Sequence, residues 1–249
     1  MPFLYPKGKL RGKMLLFYIR HGDPVYNPDS LTELGHKQAE ALSKRLARFG
    51  LDEIYCSTSV RAQQTAEPTA QKLGLSVKLL DWCNEAHAWN ELTVEDSRGK
   101  RWFYQDEASR RLFASDEIAK LGEDWHKHSF FAETHATKGM RRIGAETFDF
   151  IASLGYAKSH EGNYYVAKQP NDKRIALFAH EGFGMAFLSV LLGIPYSTFS
   201  VRCGLEHSSM TVISFDGTDF VLPCMLQLSN DSHLYKEDLP LNYNNGVLV

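Results

Sequence analysis

Leu15-Leu16-Phe17-Tyr18-Ile19-Arg20-His21-Gly22 is the stretch from which the fold can be read. A short apolar run rich in β-formers and halted by glycine reads as a buried strand. Its carboxyl end carries a fixed cation beside an imidazole, with Gly22 expected to supply a tight turn. Open α/β sheets bind ligands beyond the carboxyl ends of their strands. The planar arginine fork grips phosphate at two points. This strand end therefore reads as half of a phosphoryl-transfer site.

The pattern continues outward from it. Leu31, Leu34, Ala39, Leu42, Leu46 and Phe49 recur at helical spacing, which predicts a helix from near Thr32 that stops at Gly50. Glu53–Ser57 reads as a second strand, Val60–Leu73 as a helix ended by Gly74, and 76–80 as a third strand. Two strand–helix alternations imply a parallel sheet with right-handed crossovers. After Gly139 a helix is predicted over 140–154. A buried strand follows at Arg174–Ala179, ends in His180 and leads into a helix that runs to Leu192 and Gly193. Segments 209–215 and 220–225 read as a hairpin about Asp216-Gly217. The tail from Ser229 is polar and is expected to pack loosely.

Residues 86–138 interrupt this order with Trp89, Trp102 and Trp125 and with several phenylalanines. They read as a helical insertion or lid on a single domain spanning 1–249. Arg98, Lys100, Arg101, Arg110 and Arg111 within it read as a solvated face, the alternative being a seat for a second anionic group on a substrate.

Composition narrows the function classes. In 249 residues, 43% are hydrophobic and 23% charged, as in a globular domain. Lys plus Arg number 28 against 30 Asp plus Glu, a formal charge of −2 that points to neither a nucleic-acid nor a membrane partner. Cys56, Cys83, Cys203 and Cys224 are far apart and form no C-x-x-C pair, which suits reduced thiols in a cytoplasm. Lys7, Lys9, Arg11 and Lys13 mimic the basic start of a signal peptide, but the apolar run at 14–19 is too short to complete one.

If the predicted strand ends are neighbours, Arg20, His21, Arg61 and His180 converge on one point, a set suited to a dianionic phosphoryl group. Two ordered runs carry a resemblance. One is Arg20-His21-Gly22, Asn27 and Leu31-Thr32-Glu33-Leu34-Gly35-His36-Lys37-Gln38-Ala39. The other is Tyr55-Cys56-Ser57-Thr58-Ser59-Val60-Arg61-Ala62-Gln63-Gln64-Thr65-Ala66. The chain resembles the histidine phosphatase superfamily, in the branch that holds the phosphoglycerate mutases and related phosphatases. The likeness spans roughly the first 90 residues. It returns at Leu177-Phe178-Ala179-His180 and at His207-Ser208-Ser209-Met210-Thr211.

The resemblance implies a three-layer α/β/α sandwich with a mostly parallel central sheet. It also implies roles. His21 would be the nucleophile, with Arg20, Arg61 and His180 around the phosphoryl oxygens and Asn27 touching them. Glu85, in Asn84-Glu85-Ala86-His87, is similar to the glutamate of the family's Asn-Glu-Arg-His segment and would protonate the leaving oxygen. The chain departs from the family pattern where Glu181 follows the second histidine, since glycine is common there. A more distant branch keeps its proton donor at that position, which makes Glu181 a rival to Glu85. His207 is a further candidate for the phosphate pocket.

Physical chemistry favours such a set. A nucleophilic histidine must be neutral at the attacking nitrogen, so its other nitrogen should donate to an oxygen acceptor. Nearby arginines disfavour the imidazolium. A carboxyl beside phosphate oxygens is pushed towards its protonated form. No metal or other cofactor is required, because the arginines neutralise the phosphate. The expected function is hydrolysis of a small phosphorylated metabolite through a phosphohistidine. A phosphoglycerate mutase is the alternative, and a phosphoester-binding module without catalysis a more remote one.

Overall fold

A computed structural model describes residues 12–241. Lys7, Lys9 and Arg11 of the basic N-terminal run lie outside these residues. The chain opens with strand β1 (Met14–Arg20), the small strands β2 (Pro24–Tyr26) and β3 (Asp29–Leu31), and helix α1 (Glu33–Phe49). Strand β4 (Glu53–Ser57), helix α2 (Val60–Leu73) and strand β5 (Val77–Leu80) complete the first half of the sheet. Next come α3 (Glu85–Glu91), a hairpin of β6 (Thr93–Asp96) and β7 (Gly99–Trp102), α4 (Glu107–Phe113) and α5 (Asp116–Leu121). The body resumes with α6 (Ala136–Ser153), the short pair β8 (Tyr156–Lys158) and β9 (Tyr165–Ala167), β10 (Arg174–Ala179) and α7 (Glu181–Leu192). It closes with α8 (Tyr196–Arg202), β11 (Met210–Phe215), β12 (Cys224–Asn230) and α9 (Ser232–Lys236).

Six strands form the central sheet in the order β12-β11-β1-β10-β4-β5. β1, β10, β4 and β5 are parallel neighbours, and β11 runs against both β1 and β12. Side chains alternate across β1 as a strand requires. Leu16 and Tyr18 join one core cluster with Ile175, Leu177 and the α6 and α7 side chains, while Phe17 and Ile19 join another with Leu42, Leu46, Ala62 and Ala66 from α1 and α2. Both faces are covered, so the sequence shows continuous apolar runs in β1 and β10 instead of alternation.

The helix stops follow glycine stereochemistry. Gly74 and Gly193 adopt the left-handed conformation that ends α2 and α7. Gly22 is needed for a different reason from the one expected. It is not among the positive-φ glycines; a Cβ there would lie 2.7 Å from the Gly35 carbonyl oxygen. The loop after β1 lies directly on the start of α1, where the Thr32 hydroxyl caps the Gly35 N–H at 3.0 Å.

Three expectations are corrected. The 86–138 segment is not wholly helical: its β6–β7 hairpin presents Trp102 to the body. The hairpin partner of β11 is Cys224–Asn230, which shares only Cys224 and Met225 with the predicted stretch, and Phe220 is exposed. The tail is not loose through α9, since His233 and Leu234 are buried and α9 packs on α1. Short-range apolarity marked 220–225, but the ladder with β11 sets the strand.

Arg142 on α6 clamps the insertion to the body. It donates to both Glu91 carboxylate oxygens at 2.7–3.1 Å and to the Trp82 carbonyl at 2.9 Å, while Glu91 is buried. Removing one partner of a buried pair leaves an uncompensated charge. Arg142→Met is expected to lower the unfolding free energy by about 3 kcal/mol in urea denaturation. Arg142→Met combined with Glu91→Gln should recover part of that loss, because no bare carboxylate then remains.

Candidate active site

Strand register builds the site. Arg20 pairs with Ala179, so the next residues, His21 and His180, leave adjacent strands at one level. Phe178 pairs with Cys56, which brings Ser57 beside them. Ser57 pairs with Leu80, and the chain beyond β5 turns through 81–83 into α3, carrying Glu85 to the same end of the sheet. Asn84 holds that turn, its side chain donating to the Thr58 hydroxyl at 2.9 Å and accepting from the Ala86 N–H at 3.0 Å.

His21 and His180 rings lie 5.2 Å apart, and both are buried. His21 Nδ1 is 2.7 Å from the Gly22 carbonyl oxygen, which can only accept. The proton therefore sits on Nδ1, and Nε2 keeps its lone pair. His180 has the opposite tautomer. Arg61 Nη2 can only donate to its Nδ1 (3.1 Å), so Nε2–H donates to the Ser57 hydroxyl at 2.8 Å. Tyr18, in the middle of the apolar β1, fixes the His180 backbone: its hydroxyl accepts from the His180 N–H at 3.2 Å and donates to the His180 carbonyl.

Burial, and then Arg20, hold the His21 imidazole well below its usual pKa. Burial, and then the His21 imidazole, do the same for His180. His207, whose ring centroid is 5.7 Å from that of His21, accepts from Arg20 Nη2 at 2.7 Å and is pushed down to about 4, mainly by burial.

Glu85 meets a different balance. Burial pushes its carboxyl up to about 7, against the pull of Arg61 and of the Phe183 and Gly182 N–H groups. Gly182 N–H donates to it at 2.9 Å from the first turn of α7. That approach requires glycine: a Cβ on Gly182 would strike the Trp102 ring and lie 2.7 Å from Glu85 Oε1. Glu181, immediately before it, forms an ion pair with Arg20 at 3.1 Å, and burial raises its pKa too.

Arg20, His21, Arg61, Glu85 and Glu181 face one cavity of about 820 Å³. His180 lies beneath, reaching it through Arg61, and His207 lies beside Arg20. Arg20 Nε and Arg61 Nε are buried without a hydrogen-bond partner. Asn27 is not brought in. It stands exposed between β2 and β3, and Asp29 reaches the site in its stead, accepting from Arg61 Nη1 and from the Val60 N–H at the start of α2, both at 2.7 Å. Residues 86–138 add Trp89, Trp102, Tyr104 and Gln105 to the cavity wall. Sequence reasoning missed Tyr18, Ser57 and Asp29. Strand-end position could have found Ser57; nothing local singles out Tyr18 within an apolar strand.

The histidine phosphatase superfamily (branch 1) family model matches residues 16–130, the stretch that carries Arg20, His21, Arg61 and Glu85. Over that stretch the chain is similar to this superfamily. It is 26% identical over 223 residues to glucosyl-3-phosphoglycerate phosphatase of Mycobacterium tuberculosis (strain ATCC 25618 / H37Rv), covering 82% of this chain and 88% of the relative. It is 28% identical over 123 residues to the probable phosphoglycerate mutase GpmB of Yersinia enterocolitica, covering 43% of this chain and 57% of that one. Among solved structures, native mycobacterial glucosyl-3-phosphoglycerate phosphatase superposes with a TM-score of 0.56 at 21% identity, over 87% of this chain and 99% of that one. Phosphoserine phosphatase from Entamoeba histolytica superposes with a TM-score of 0.57 at 16% identity, over 89% and 99%. These likenesses establish the histidine phosphatase fold, with its central, mostly parallel sheet flanked by helices.

The tautomers and charge states are directly measurable. Long-range nitrogen–proton NMR should find His21 and His180 both neutral at pH about 6, with the proton on Nδ1 of His21 and on Nε2 of His180. Because the folded state holds these pKa values down, the unfolded chain binds more protons in acid, and stability should fall as pH drops below about 6.5. An imidazolium signal from either ring at pH 6 would contradict the geometry.

Proposed function

We propose that this histidine phosphatase hydrolyses phosphomonoesters of a small metabolite through a phosphohistidine on His21. The observation that carries the reading is the tautomer of His21. Its Nδ1–H is tied to Gly22, so an unprotonated Nε2 stands beside Arg20 and Arg61 with a half-neutral carboxyl nearby. The relatives' names support a phosphorylated small-molecule substrate.

The ester's phosphoryl oxygens take the N–H groups of Arg20 and Arg61, including the two Nε donors that lack a protein partner. His180 aligns Arg61 by accepting from its Nη2, and His207 steadies Arg20. His21 Nε2 then attacks phosphorus in line as the ester P–O bond breaks. Glu85 transfers its proton to the departing oxygen, so the alcohol leaves neutral. In the second step water attacks the phosphohistidine, the Glu85 carboxylate accepts its proton, and the N–P bond breaks to release phosphate. Positioned cations supply most of the stabilisation in such a transfer. Residues 86–138 act as the lid of a single domain. We place the protein in the cytoplasm, which its four unpaired cysteines support. No described helix is long and apolar enough to cross a membrane.

The likeness to a probable phosphoglycerate mutase favours one competing outcome. Water-dependent phosphate release from 3-phosphoglycerate, measured against its isomerisation, separates the two. A chromogenic ester assay excludes the non-catalytic module if any turnover is seen.

His21→Ala should abolish turnover and leave no acid-labile phosphoprotein after mixing with ester. Glu85→Gln should slow an alkyl ester about 100-fold, yet an activated aryl ester only a few-fold. That pattern in Glu181→Gln instead would transfer the acid role. In wild type, kcat/KM for the alkyl ester should decline as pH rises past about 7, where Glu85 loses its proton. In Glu85→Gln that alkaline limb should vanish.

A further inference from the structure

The cavity has a lopsided charge pattern. Among the described residues that line it, the lysine and arginine cations are Arg20 and Arg61, both at the phosphoryl seat. Each is already matched by a wall carboxylate, Arg20 with Glu181 at 3.1 Å and Arg61 with Asp29 at 2.7 Å. Beyond the seat the wall is Tyr26, Ala86, Trp89, Trp102, Tyr104 and Gln105. Ala86 stands where the similar Asn-Glu-Arg-His segment has its arginine.

The basic residues of the insertion do not fill the gap. Arg98 and Arg101 are bound to Asp96 and Asp106, and Arg111 to Glu107. Arg110 donates to the Tyr104 carbonyl at 3.1 Å. Lys100 donates to the Asn90 side chain at 3.0 Å, with its ammonium 5.4 Å from the Trp89 ring centre. The expected solvated face describes Arg98 and Arg111, whereas Arg101 is drawn in by Asp96 and Asp106; none of the five lines the cavity.

A second anionic group on a substrate would thus enter a wall that offers it Asp29 and Glu181 and no further cation. Desolvating an unpaired charge beside like charges is unfavourable. The same wall suits a flat, uncharged group. Trp89 and Trp102 meet edge to face with centroids 4.9 Å apart, and Trp102 stacks with Tyr104 at 5.8 Å, so the rings brace one another into a fixed apolar surface. Gln105 and Asn84 supply neutral hydrogen-bonding groups at its margin.

Resting on the phosphatase reading above, we propose that the site selects esters of uncharged, ring-bearing alcohols and discriminates against leaving groups that carry a carboxylate or a second phosphate. Discrimination comes from a wall whose two cations are already engaged by Asp29 and Glu181, and affinity from the Trp89–Trp102–Tyr104 surface. Ala86 is the specificity-determining position: exposed at the start of α3, it has room for a longer side chain.

The test uses a pair of esters alike in shape and different in one charge, 4-carbamoylphenyl phosphate and 4-carboxyphenyl phosphate. Wild type should show kcat/KM about tenfold higher for the carbamoyl ester, mostly through KM, with the gap narrowing as salt is raised. Ala86→Arg should shrink the gap to about twofold by improving the carboxylate. Cyclohexylmethyl phosphate should have a KM about fivefold lower than methyl phosphate. Equal or faster turnover of the carboxyl ester in wild type overturns the inference. So does equal binding of both aryl esters by calorimetry, whether or not either is hydrolysed. A binding difference without any hydrolysis would support the charge preference and overturn the phosphatase reading alone.

Discussion

The parallel pairing of β1 with β10 is the constraint on which the site depends. It puts two imidazoles, one before the loop into β2 and one at the start of α7, side by side at the middle of the sheet. The other groups are secondary to that register. Ser57 arrives because β4 lies next to β10, and Glu85 because β5 lies next to β4. A slip of one residue in the β1–β10 ladder would turn His21 and His180 to different levels and faces. The core prevents such a slip, since Leu16 and Tyr18 must face α6 and α7 while Phe17 and Ile19 face α1 and α2.

That placement gathers positive charge in a poorly hydrated corner, and the structure answers it with carboxylates. Burial keeps both imidazoles neutral, so only the guanidinium groups remain as fixed cations. Asp29 and Glu181 match them one to one. Glu85 sits apart from this pairing, on the first N–H groups of α7, where burial outweighs the helix end and leaves a carboxyl that can both give and take a proton. Three acids of the same type thus have separate parts, set by their surroundings.

The sheet, its helices and the Arg20–His21–Arg61–His180 set were legible because they depend on local signals. Apolar runs mark β1 and β10, helical spacing and glycine stops mark α1 and α2, and the strand ends carry the polar residues. The rest depends on contacts distant in sequence. Asn27 matched a motif position, yet the short β2–β3 turn presents Asp29 to Arg61 instead. Gly22 was read as a turn glycine, whereas its reason is the Gly35 carbonyl packed against it. The β6–β7 hairpin has no period-2 apolar pattern in Thr93–Asp96 or Gly99–Trp102; it is pinned by the Trp102 ring beneath Gly182. The tail appeared polar because His233 and Asp231 are buried with partners, which composition cannot reveal.

The Asp29 carboxylate has one more consequence. It occupies Arg61 and the α2 N–H group that an incoming anion would also seek, so this protein carries a built-in rival for its own oxyanion seat. Under the proposed hydrolysis, orthophosphate, the product common to every such ester, would contend with that rival each cycle. Under the proposed reaction, a group tethered this way would return at a high effective concentration and oppose retention of that product.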